Sequence, residues 1–273
     1  MSDESVVEKY PIVFFYITVF AIGFIAVIPV IFFGIGIFTL ISATSASLGA
    51  IVFVGITKRK GGLKELFSTF KNWRCNPVWY IIAIFLMPGA TLLTMGISIM
   101  LGIPLRSGLS LTPPPMRNLE LLILQFIFIF FQAGLGEEIG WRIYATPKLA
   151  EKYSKLKAAL IIGVLWAFWH TPQFLFPGTL QNRISIQIGF LIAYPVYMLF
   201  VALSAILLSW VYFQSDGNGW LPVLFHTTLN TAPWLLIPEA PFMVLMIFIV
   251  IIWILSVSVA VVYGSDLSRK SKE

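Results

Sequence analysis

From residue 11 to residue 57 the chain carries no Asp, Glu, Lys or Arg. An uncharged run of 47 residues is foreign to a water-soluble domain, whose surface needs charge. At about 20 apolar residues per crossing, it is long enough for two membrane-spanning helices. The rest of the chain repeats the pattern, with long apolar stretches separated by short basic ones. Only 11% of the 273 residues are charged and 59% are hydrophobic, against about 25% charged in soluble domains. Disorder is excluded as well, because it requires low hydrophobicity and high net charge.

The sequence predicts an all-α, polytopic membrane protein of about eight transmembrane helices, forming one domain over 1–273. The 11–57 run is expected to break near Gly34-Ile35-Gly36, since a later break at Ser42–Ser47 leaves the second helix short. Further spans are expected at 77–101 (kinked at Pro88-Gly89), 118–141, 158–178, within 185–213 (bent near Pro195), 220–238 and 241–264. Segment 61–74 sets Leu63, Leu66, Phe67, Phe70 and Trp73 at helical spacing among basic residues. It suits an amphipathic helix at the membrane surface and equally a loop helix packed on the bundle.

The net charge of +6 raises the question of nucleic acid, but the clustering of the basic residues points to the loops of a membrane protein, with no nucleic-acid partner. With eight spans and the amino terminus inside, 15 of the 18 basic residues fall inside. Only Arg106, Arg117 and Arg183 fall outside. Basic loops favour the cytoplasm, so both termini are expected there. The acidic opening segment (Asp3, Glu4, Glu8) is unlike a secretory signal, and no cleavage is expected. A single cysteine, Cys75, cannot form an intramolecular disulfide, and no catalytic thiol signature surrounds it.

Ionisable groups inside apolar spans cost at least about 2.5–3.5 kcal/mol on insertion scales, so each demands a reason. Glu137 and Glu138 are adjacent, about 100° apart around a helix, and face different neighbours. Glu138 and Arg142 stand four apart, in the favourable order for an ion pair. Glu137 is left without a local partner. Gly134, Gly136 and Gly140 allow other helices to approach closely. Both histidines of the chain, His170 and His226, fall in apolar spans, and Asn230 shares a helix face with His226. A carboxylate and an imidazole converging on water make a general-base site. Two donors on one face suit a developing oxyanion. Amide hydrolysis is the chemistry this set supports. The alternatives are a proton- or ion-coupled transporter using the same groups as a relay, and a zinc site through Glu137, His170 and His226. By a rise of 1.5 Å per residue, Glu137 lies about 7–8 Å inside Arg142, His226 about 9 Å past Trp220 and His170 about 20 Å past Lys157. The last depth fits only if its helix starts outside the bilayer, within 152–157.

Taken together, Glu137-Glu138-x-x-x-Arg142, Trp166-x-x-x-His170 and His226-x-x-x-Asn230 resemble the ABI family of membrane proteases, which includes the type II CAAX prenyl endopeptidases. The resemblance covers the motif core, 118–238, and the family's second motif often opens with Phe where this chain has Trp166. It implies a glutamate-dependent intramembrane protease without cofactor or essential metal. In it Glu137 and His170 activate water, His226 and Asn230 hold the oxyanion, and Glu138 and Arg142 orient the site or the substrate. The implied partners are a prenylated CAAX protein, cleaved after its lipidated cysteine, and the membrane lipid. A non-prenylated peptide substrate or an immunity role is the family's other possibility. The cell membrane of a prokaryote is the expected location (the endoplasmic reticulum membrane in a eukaryote), with the site opening to the cytoplasm.

Overall fold

The computed structural model describes residues 6–105, 119–177, 179–236 and 240–268. Among them every regular element is helical, with no strand. After a single turn at Val6–Lys9, the main helices are α1 (Pro11–Phe33), α2 (Ile37–Ala43), α3 (Ser45–Thr57), α4 (Arg59–Ser68) and α5 (Val78–Met100). There follow α6 (119–150), α7 (Lys155–Trp169), α8 (Leu180–Ile188), α9 (Phe190–Gln214), α10 (Trp220–Leu236) and α11 (Phe242–Tyr263). Six helical segments of the described residues are long and apolar enough to cross a membrane, or seven if the bent pair α2–α3 is one broken span. The remaining expected span is α10, whose 17 residues fall short of the usual 20 or so. Between 33% and 50% of each long span is buried within the protein. The outward faces carry side chains such as Ile25, Phe32, Phe85 and Val261, as a multi-pass membrane protein requires.

Several boundaries differ from those the sequence suggests. The 11–57 run does break at Gly34, which caps α1 with φ +66°, a conformation that favours glycine. It breaks a second time at Thr44, where α2 and α3 meet at 64°. The 185–213 region divides at Gly189 (φ +82°) rather than bending at Pro195, which lies within α9. Most consequentially, α6 does not stop at residue 141. It continues to Ala150, because Arg142 is wholly buried in the bundle instead of marking a membrane surface. Span 118–141 also begins one residue outside the described ones.

Segment 61–74 packs on the bundle. The Trp220 indole donates to the Phe70 carbonyl (2.9 Å), the Gly219 amide to the Thr69 carbonyl (3.2 Å) and the Asn72 amide to the Asp216 carbonyl (2.7 Å).

Small residues bring the site-bearing helices together. With no hydrophobic drive between helices in lipid, contact depends on close backbone approach. A Cβ at Gly134 would meet Thr227 Oγ1 of α10 at 2.7 Å, and one at Gly136 would meet Thr44 Cγ2 at 2.7 Å. A Cβ at Gly140 would fall on the Ala46 backbone carbonyl of α3, and one at Gly163 within 2.5 Å of the Ala202 carbonyl of α9. These glycines therefore set the spacing of α6 against α3 and α10, and of α7 against α9. Gly140→Ala is expected to destabilise the protein by about 1–3 kcal/mol, the usual cost of overpacking, in an unfolding titration with denaturing detergent. Gly61→Ala is the control. Its Cβ meets nothing within 4 Å, so helix propensity alone should give a gain of about 0.5–1 kcal/mol.

Candidate active site

Around Glu137 and Glu138 the backbone of α6 is not a regular α-helix. Wide, π-type turns occupy Phe130–Leu135 and Ile139–Ala145, on either side of a short α segment at Gly136–Glu138. Such turns are frequent at functional sites because they re-aim side chains and free carbonyls. Here side chains satisfy two of the carbonyls. Ser47 Oγ donates to Leu135 O (2.6 Å) and Thr146 Oγ1 to Trp141 O (2.8 Å).

The sequence sets Glu138 opposite Arg142, and Nη1 of Arg142 lies 3.2 Å from Glu138 Oε1 with both side chains inaccessible. The same Oε1 lies 2.7 Å from His226 Nδ1 of α10. Glu138 Oε2 and Arg142 Nε and Nη2 have no protein hydrogen-bond partner. The guanidinium instead covers the Trp166 ring, 4.3 Å from its centroid, a favourable cation–π arrangement. Glu137 faces elsewhere, as its position on the helix requires. Its Oε2 accepts a hydrogen bond from Trp166 Nε1 of α7 at 2.6 Å.

His170 is the last residue before α7 gives way to a 3-10 turn. Its Nδ1 lies 2.8 Å from the Trp166 carbonyl. A carbonyl can only accept, so the proton of the neutral ring sits on Nδ1 and Nε2 is left as a base. His226 is arranged differently. Its Nδ1–H donates to a carboxylate, so a second proton on Nε2 gives a ring that can donate from both nitrogens. The two histidines thus have distinct chemistry, set by their acceptors. Asn230, one turn beyond His226, is half-buried and faces a cavity of about 130 Å³ that also borders Tyr197. The Tyr197 ring lies 5.4 Å from that of His170, so one lining residue of this cavity is in contact with the histidine.

Trp166 is the residue that sequence reading missed. Named there only as the residue that opens its motif, it touches four of the six other motif side chains. It donates to Glu137, accepts from His170, lies under Arg142, and sets its ring 5.2 Å from that of His226 in an edge-on contact. The signal was the departure from Phe itself, since an indole in a buried motif brings a donor that needs an acceptor. Trp166→Phe keeps an aromatic ring and deletes that donor. Removing a hydrogen bond to a charged group costs about 1.5–3 kcal/mol, so kcat should fall roughly 10- to 100-fold, with a smaller change in KM. An unaltered kcat in peptide hydrolysis would remove the positioning role.

Two depths also come into agreement. Because α6 runs to Ala150, Glu137 lies 13 residues from that end, about 20 Å at 1.5 Å per residue. Because α7 starts at Lys155, capped by Ser154, His170 lies at a comparable depth from the same side. The cavity that reaches Asn230 is formed by α8, the first half of α9, the second half of α10 and the start of α11. The other end of the bundle carries Lys58, Lys148 and Lys155, the last 4.9 Å from the Phe213 ring near the end of α9. The cavity therefore lies toward the end opposite the basic loops, whereas the sequence suggests an opening beside them. Among the described residues, no three His, Cys, Asp or Glu side chains are grouped to hold a metal ion.

The fold and this cluster define a class: a multi-pass helical membrane protein with a carboxylate and two imidazoles gathered on one buried tryptophan. Residues 119–232 match the family model described as Type II CAAX prenyl endopeptidase Rce1-like. The chain is also 25% identical over 181 residues to CAAX prenyl protease 2 of Methanococcus maripaludis, an alignment covering 66% of this chain and 65% of that relative. The resemblance drawn from the three motifs is thus the one the comparisons find, and all six motif side chains and Trp166 fall within the matched segment.

Proposed function

We propose that the protein is an intramembrane endopeptidase that removes the C-terminal tripeptide from prenylated CAAX substrates, without a metal. The supporting observation is that Glu137 and His170 are both anchored on Trp166, one through its indole and the other through its carbonyl. In this reading a water between them gives its proton to Glu137 or to Nε2 of His170 and attacks the scissile carbonyl carbon. The His226 ring, oriented by its Nδ1 contact with Glu138, and the Asn230 amide donate to the oxyanion. Collapse of the tetrahedral intermediate breaks the C–N bond, and the proton held by the base passes to the departing amine. The prenyl chain remains in the lipid, where each buried CH₂ adds about 0.8 kcal/mol to binding.

The test is hydrolysis of a farnesylated C-terminal peptide by the purified protein, with release of the last three residues followed by mass spectrometry. Activity should survive exhaustive chelation, and restoration by zinc of activity lost to chelation would overturn the metal-free mechanism. Asn230→Ala should lower kcat about 100- to 1000-fold, the range for one oxyanion donor, while changing KM less. An unchanged kcat would remove that role.

A further inference from the structure

The cavity beside Asn230 has an uneven lining. Its walls are apolar over most of their area, with Ile184, Phe200, Val244 and Phe248 among them, and among the described residues they include one cation, Arg183, and no carboxylate. Arg183 is half-buried, and among the described residues it makes no ion pair. A guanidinium keeps its charge at any pH a protein tolerates. With no counter-ion among the described residues at the edge of an apolar cavity, it is a ready site for an anion, carboxylate above all, which it can bind through two parallel N–H donors.

The element carrying it is fixed to the catalytic wall. Thr179 caps α8 by accepting from the Asn182 amide (3.2 Å). The Gln181 side-chain amide donates to Gln173 Oε1 and to the Tyr197 hydroxyl, both at 2.6 Å. The Tyr197 ring in turn rests against His170. Arg183 is therefore held in register with the reacting centre.

We propose that Arg183 receives the terminal carboxylate of the substrate, while the cavity between it and Asn230 takes the two aliphatic side chains that follow the scissile bond. The assignment rests on the endopeptidase reading above and adds the group that counts residues from the end of the chain. A tripeptide is about 10 Å long when extended. The cavity's 130 Å³ equals on the order of ten water sites by the measure in which one water needs about 10–15 Å³. Anchoring the carboxylate at one end and the carbonyl at Asn230 at the other would exclude internal peptide bonds, which have no charged terminus to offer.

The experiment uses the full chain in lipid nanodiscs and a fluorescent farnesyl-Cys-Val-Ile-Met peptide, made as the free acid and as the C-terminal amide. Binding is read by anisotropy and cleavage by mass spectrometry, in wild type, Arg183→Gln and Arg183→Lys. Wild type should bind the acid about 10- to 100-fold more tightly than the amide, the range for a charged hydrogen bond. Arg183→Gln should erase that preference and Arg183→Lys should keep a reduced one, having lost the bidentate fork. Equal binding of acid and amide by wild type, or a preference that survives in Arg183→Gln, overturns the proposal. An Arg183 that only reaches for lipid headgroups gives that first result. If Arg183→Gln binds neither peptide, an undiminished preference in Arg183→Lys overturns it. Preference for the acid without cleavage sinks the endopeptidase reading and leaves the subsite. Equal cleavage of both forms does the reverse.

Discussion

Glu137→Gln is expected to reduce kcat for peptide hydrolysis by at least about 1000-fold while leaving the protein folded. The substitution keeps the size of the side chain, and its amide oxygen can still accept from the Trp166 indole, so the bond at 2.6 Å need not be lost. What disappears is the capacity to take a proton. General-base catalysis accounts for about 100- to 10,000-fold of a rate, and in the proposed mechanism the carboxylate would also place the water, so the upper part of that range is expected. Glu137→Ala should be equally inactive, with an extra loss of stability because the buried indole N–H is left without an acceptor. The contrast between the two variants separates chemistry from packing. Equal unfolding midpoints for wild type and Glu137→Gln, with activity abolished, is the expected pattern. Substantial activity in Glu137→Gln would assign the base to another group, His170 being next in line through its free Nε2.

Much of this site could be read from the chain because membrane interiors make polar residues conspicuous. Glu137, Glu138, Arg142, His170, His226 and Asn230 stand out against apolar neighbours. The four-residue spacing of Glu138 and Arg142 gave their pairing directly. The close-packing role of Gly134, Gly136 and Gly140 was readable for the same reason, as small residues inside a span have few other uses. Where α6 ends was not readable. In a sequence, a charged residue closing an apolar run marks a membrane surface, and Arg142 looks like one until Glu138 and the Trp166 ring are seen to surround it. The irregular turns flanking Glu137 leave no periodic signature, because the assumption of 3.6 residues per turn hides them. Trp166 was hidden by its type, since tryptophan in a membrane protein ordinarily suggests the interface.

The cavity's position also bears on topology. By the positive-inside rule the loops with Lys58, Lys148 and Lys155 are expected in the cytoplasm, whereas Asn230 and Arg183 share a cavity toward the other end. If the proposed peptide enters through that cavity, its entry lies away from the basic loops. Single cysteines introduced at residues 148 and 183 in Cys75→Ser protein, labelled in sealed vesicles with an impermeant thiol reagent, should react from opposite sides.

Glu138→Leu should destabilise the protein by about 3–5 kcal/mol, the usual result of removing one partner of a buried ion pair. The geometry explains why this carboxylate matters more to stability than Glu137. Its Oε1 is the acceptor for both Arg142 Nη1 and His226 Nδ1. Its loss strands a guanidinium that is completely buried and already has two nitrogens without hydrogen-bond partners. The double variant Glu138→Leu/Arg142→Met removes both charges and fills similar volume. Replacing a buried pair by apolar groups is often neutral or stabilising by about 1–4 kcal/mol, so most of the lost stability should return. Activity should not, because His226 has lost the acceptor that fixes its Nδ1 proton and the orientation of its ring. The signature to look for is therefore a split, with the unfolding midpoint restored and kcat still depressed by at least about tenfold. Recovery of both would make Glu138 purely a structural counter-ion for Arg142. Recovery of neither would mean that the orientation of His226 also holds α10 against α6.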